Sequence, residues 1–78
     1  MILVNQYNEF QSEADNLEDI RKAIIFELID HLNNNREYSY DNMDSLALDL
    51  DTVKFTNDIK ILDEFIKDFG WKYVYRKV

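Results

Sequence analysis

Glu37-Tyr38-Ser39-Tyr40-Asp41-Asn42-Met43-Asp44-Ser45-Leu46-Ala47-Leu48-Asp49-Leu50-Asp51 is the stretch whose reading decides the fold. It admits two periods. Glu37 to Tyr40 alternates polar and aromatic residues, and Leu46, Leu48 and Leu50 alternate with Ala47, Asp49 and Asp51, which is the period of a half-buried strand. Read so, the stretch is a pair of strands with Asp41 to Asp44 as their turn. The phase slips at Asp51-Thr52 before Val53 and Phe55 resume, which predicts a bulge or a separate short strand there. A competing reading makes Met43, Leu46, Ala47 and Leu50 one face of a short helix. The strand reading is carried forward as the expectation.

On either side the periodicity is plainer. Upstream, Asn16 is a good N-cap with Asp19 three residues later, and Leu17, Ile20, Ile24, Leu28 and Leu32 recur at helical spacing, widened by Ile25 and Ile29. The triplet Asn33-Asn34-Asn35 should end this helix, because Asn tolerates the left-handed conformation common at helix ends. Downstream, Asn57 or Asp58 can cap a second helix with the apolar face Ile59, Leu62, Phe65, Ile66 and Phe69, and Gly70 is placed to stop it. Ile2 to Tyr7 suits a first strand, Asn8 to Ser12 reads as a connection that Phe10 anchors, and the alternating tail Trp71 to Val78 is a final strand. The expected order is therefore strand, helix, strand, strand, helix, strand. That is a small two-layer α+β domain of ferredoxin-like βαββαβ type, with two helices on one face of an antiparallel sheet. Its second and last strands would form the edges, with Lys72 and Lys77 guarding one of them. Asp49 and Asp51 would point to the open face.

Composition bounds the rest. With 78 residues, no proline, one glycine and no repeat, residues 1–78 read as a single domain. A chain this size buries only about 60% of its unfolded surface, and without cysteine no disulfide or thiolate metal site adds to the core. The absence of cysteine fits a reducing compartment, hence a cytoplasmic location. The start, Met1-Ile2-Leu3-Val4-Asn5, has neither the basic region nor the apolar length of a signal peptide or a membrane span.

Net charge is −7, and it is uneven. Residues 1–53 hold twelve acids and three bases, hence −9, while residues 54–78 hold four acids and six bases, hence +2. Asn8 to Ile20 carries Glu9, Glu13, Asp15, Glu18 and Asp19 without a cation, and residues 37–53 carry Glu37, Asp41, Asp44, Asp49 and Asp51 without one. Direct nucleic-acid binding is disfavoured, since phosphate contacts need cations, and so is an anionic membrane surface.

Candidate catalytic features are few. His31 alone cannot hold zinc, and on the apolar side of its helix it reads as a packing residue. There is no nucleophile elbow, and one glycine rules out a phosphate-binding glycine loop or a dinucleotide fingerprint. The aspartates at 41, 44, 49 and 51 lack the glycine and glutamate of a calcium loop, and paired carboxylates for sugar chemistry need a cleft that a chain this small can hardly form. Solvated acidic surface is the simpler account of them. Asp44-Ser45-Leu46 resembles the prosthetic-group motif of acyl carrier proteins. Those continue from the serine into helices, whereas alternation follows here and the chain ends in a β-prone segment. Tyr38, Tyr40, Trp71, Tyr73 and Tyr75 could form a binding hot spot, though most should pack under the helices.

No enzyme, no cofactor and no metal is therefore expected. The expectation is a small acidic non-catalytic binding protein, an inhibitor or regulator that docks on a basic protein partner, a nucleic-acid-binding protein or nuclease complex, in the style of a DNA mimic. The partner-binding residues would be Glu13, Asp15, Glu18, Asp19, Glu37, Tyr38, Tyr40, Asp41, Asp44, Asp49 and Asp51. In size and charge the chain is similar to small phage or mobile-element proteins that block host nucleases. The alternative is a structural or assembly module that self-associates, as a homodimer, through a strand edge or the open sheet face.

Overall fold

A computed structural model describes residues 1–34 and 43–75 of the chain, with side chains described over 1–30 and 45–75. The elements are β1 (Ile2–Val4), β2 (Phe10–Glu13), α1 (Leu17–Asn34), α2 (Met43–Phe55), α3 (Ile59–Asp68) and β3 (Lys72–Val74). Among the described residues three strands form an antiparallel sheet in the order β2-β1-β3 and accompany three helices, so the fold is a small α+β domain. The ferredoxin-like order expected above is not the one adopted.

Two residues account for the first difference. Asn5 ends β1 early: its side-chain oxygen accepts from the backbone N–H of Tyr7 and of Glu9, at 2.9 and 3.0 Å. Its carbonyl accepts from the N–H of Asn8, which sits in the left-handed region at φ 62°. Asn supplies here the conformation that glycine usually supplies. The chain turns straight back, and Phe10–Glu13, expected as part of a loop, becomes β2. Gln11 is the extra residue of a bulge, because Leu3 pairs with Ser12 and Val4 with Phe10. Phe10, expected to anchor that loop, is instead on β2 and 59% exposed.

The second difference lies in the deciding stretch. Residues 43–55 are helical, so the competing reading holds and neither a strand through Leu46–Leu50 nor a bulge at Asp51-Thr52 forms. Leu46, Leu50 and Val53 also recur at helical spacing, and burial follows that period. Leu46 and Val53 are buried and Leu50 is half-buried, while Leu48 is 67% exposed. Ala47, placed on the inner face by that reading, is exposed. The acyl-carrier comparison loses one of its objections, since a helix does follow Ser45, but the sheet still sets this fold apart. The expected strand at Glu37 to Tyr40 lies outside the described residues.

The rest follows the expected pattern. Asn16 caps α1 by accepting from the N–H of Asp19 at 2.9 Å, while the Asp19 carboxylate accepts from the N–H of Asp15 at 3.2 Å. Asp58 caps α3 by accepting from the N–H of Lys60 at 2.9 Å. At the far end of α3, the N–H of Gly70 donates to Lys67 and that of Trp71 to Ile66, each at 3.0 Å, and Gly70 has φ 79°. That is a Schellman closure, with glycine where a side chain would be strained. β3, antiparallel to β1 with Leu3 opposite Tyr73, covers only Lys72–Val74 of the expected Trp71 to Val78 strand and forms one sheet edge among the described residues, outside which 76–78, with the expected edge residue Lys77, lie.

The core lies between the helices and one face of the sheet. Leu3, Ile24, Leu28, Val53 and Leu62 are fully buried, joined by Ile20, Ala23, Leu46 and Ile66. Each fully buried aliphatic side chain contributes about 1.5–3 kcal/mol. α1 lies at the centre of the packing, in contact with α2, α3 and β2. Trp71 stacks obliquely on Phe69, with ring centroids 5.1 Å apart, and closes one end of the core.

Candidate functional site

The expected partner-binding acids separate into groups. Asp15, Glu18 and Asp19 gather at the start of α1. Asp15 and Glu18 are exposed and Asp19 is half-buried. Asp15 accepts from the Met1 ammonium at 3.0 Å. Glu13 is half-buried on β2, and Glu18 pairs with Arg21 at 3.0 Å while staying 63% exposed. Asp49 and Asp51 ride on α2, half-buried and exposed respectively, and so do not line the sheet face where they were expected. Neither has an ion pair or a side-chain hydrogen bond among the described residues. Asp44 belongs to α2, but its side chain lies outside the described residues, as do Glu37, Tyr38, Tyr40 and Asp41 altogether.

Arg21 joins the first two groups. It is a buried cation, 8% exposed, whose guanidinium donates to the carbonyls of Val53 at 2.6 Å and Lys54 at 2.9 Å and to Asn57 at 3.2 Å. The last carbonyls of a helix have no partner within it and carry partial negative charge, so a planar fork of N–H donors suits the end of α2 well. The start of α1 and the end of α2 are thereby held side by side. The charge pattern alone does not reveal this role, because Arg21 reads as one of the front's three cations and not as a clasp.

Two apolar surfaces accompany the acids. On the face of the sheet away from the helices, Ile2, Val4, Phe10, Val74 and Tyr75 line an open depression, and Tyr75 is 83% exposed. On α2, Leu48 and Phe55 stand 67% and 78% exposed, on the side opposite Leu46 and Val53. Their spacing of seven was the signal in the sequence that could have marked this second face.

Behind the β3 edge, the Tyr73 hydroxyl donates to Asp63 at 2.5 Å. Burial, then that hydrogen bond and the carboxylate's charge, hold the phenol's pKa well above the ordinary tyrosine value. This bond ties β3 to α3 and points into the packing. It therefore reads as a structural tie. His31 lies within α1, with its side chain outside the described residues. Among the described residues no helix is long and apolar enough to cross a membrane. No protein family, curated protein or solved structure matches the chain.

Proposed function

We propose that this chain is a non-catalytic inhibitor or regulator whose acidic surface docks on a basic, nucleic-acid-binding protein, with carboxylates standing in for phosphates. The observation that carries the reading is the fate of Arg21. The front of the sequence has three cations to set against twelve acids, and one of the three is buried on the backbone of α2. Its charge also answers Glu18, so two cations remain in the front for the other eleven acids. Such a field speeds encounter with a cationic partner and rejects anionic ones. Blocking a nuclease on behalf of a phage or mobile element is a setting this chemistry suits. The test is affinity purification from the native host, followed by binding to the isolated partner over a salt series. Affinity should fall steeply with ionic strength, and indifference to salt would count against the reading.

A second reading, self-association as an assembly module, draws on the exposed Phe10 and Tyr75 of the open sheet face. Light scattering on a size-exclusion column separates the two, since a strict monomer at high concentration removes it.

A further inference from the structure

The outer face of α2 offers a more specific surface than the acids alone. Leu48 and Phe55 are 67% and 78% exposed. Seven residues separate them, which places them about 10.5 Å apart along the axis and within about 20° of each other around it. They form one ridge, and Asp51 and Thr52, also exposed, lie between them on its two flanks. The inner face of the same helix is already used, with Leu46 and Val53 in the core. A helix apolar on two opposite sides suits burial on both. Among the described residues nothing requires large apolar side chains at 48 and 55.

We propose that this ridge is the docking element, and that its occupant is the apolar face of a helix on a protein partner, rimmed by lysine or arginine. This rests on the reading given under Proposed function and names the surface it uses. The apolar pair supplies the anchors and the carboxylates choose the rim. Asp51 stands between the anchors and Asp49 lies on the helix flank, and neither is ion-paired among the described residues. A cationic rim would satisfy both, whereas an acidic one would be repelled. A second copy is the poorer occupant, because it would bring together two bodies of net charge −7.

The test uses the full chain, isotopically labelled, and a synthetic helical peptide with one leucine-rich and one arginine-rich face as the probe. Backbone amide shifts should saturate at Leu48, Asp51, Thr52 and Phe55. Leu48→Ser with Phe55→Ser should weaken binding at least about tenfold, and Asp51→Asn should weaken it several-fold and flatten its salt dependence. These positions are exposed, and the spectrum of each variant reports whether its fold is kept. No saturable shift, or binding unmoved by the substitutions, overturns the proposal. So do shifts at the same residues that follow protein concentration without peptide, which identify a second copy. Shifts confined to the start of α1 overturn the ridge but leave the acidic-docking reading standing. Binding lost in the serine variant yet indifferent to salt and to Asp51→Asn overturns the cationic rim, and the acidic-docking reading with it.

Discussion

Arg21 of α1 donates from one guanidinium nitrogen to the carbonyl of Val53, 32 residues later, at 2.6 Å. Within the same residue, Nε holds the exposed Glu18 and the other terminal nitrogen reaches Asn57. One side chain thus closes the end of α2, orients the turn into α3 and fixes both against the first turns of α1.

Arg21→Met should therefore destabilise the fold by about 3 kcal/mol, because it strands two carbonyls that are otherwise satisfied. Arg21→Lys should recover less than half of this, since an ammonium cannot reproduce the planar fork. Glu18→Gln should change stability by less than about 1 kcal/mol, as the Glu18 carboxylate is 63% exposed. Urea denaturation of the three variants checks the ranking.

Tyr73 should ionise late. Its pKa is raised in the folded state by burial and by Asp63, so the stability it contributes is full below the unfolded value of about 10. As pH rises beyond that value, the unfolded chain loses the proton first and the contribution drains away. Spectrophotometric titration should show a late tyrosinate that is missing in Tyr73→Phe, and denaturation midpoints of that variant should fall less steeply above that pH than those of the native chain.

Three leucines report the orientation of the helices. Leu62→Ala and Leu46→Ala, at 0% and 3% exposure, should cost about 2–5 kcal/mol each. Leu48→Ala should stay within about 0.5 kcal/mol of the native chain. Had residues 46–50 formed a strand with Leu46, Leu48 and Leu50 inward, Leu48→Ala would cost as much as Leu46→Ala. Thermal unfolding of the three decides between the two arrangements.

Gly70→Ala should cost about 1 kcal/mol or somewhat more, although nothing lies within 4 Å of the added carbon. The cost comes from φ 79° and not from crowding. Gly70→Asn should be milder, because Asn tolerates the left-handed region. Chemical denaturation at a single pH suffices.

Where the sequence carried one period it was legible. α1 and α3, their caps Asn16 and Asp58, the stop at Gly70 and the β3 segment are all read from residue spacing. Residues 46–50 misled because leucines at 46, 48 and 50 satisfy a period of two, while Leu46, Leu50 and Val53 satisfy a helix. Only burial tells them apart. β2 was missed for a different reason: its turn is built on Asn5 and Asn8, without the glycine or proline that marks most hairpins. The acids were legible as a count. Their placement depended on which element carried Asp49 and Asp51, and on a cation that the fold withdraws from the surface. Neither is written in composition.

The most direct measurement of the central claim is competition. With the isolated basic partner bound to a labelled nucleic acid, adding this chain should displace the nucleic acid stoichiometrically, and the variant carrying Asp49→Asn and Asp51→Asn should displace it less well. A stable ternary complex, in which partner, nucleic acid and chain sediment together, would contradict the account.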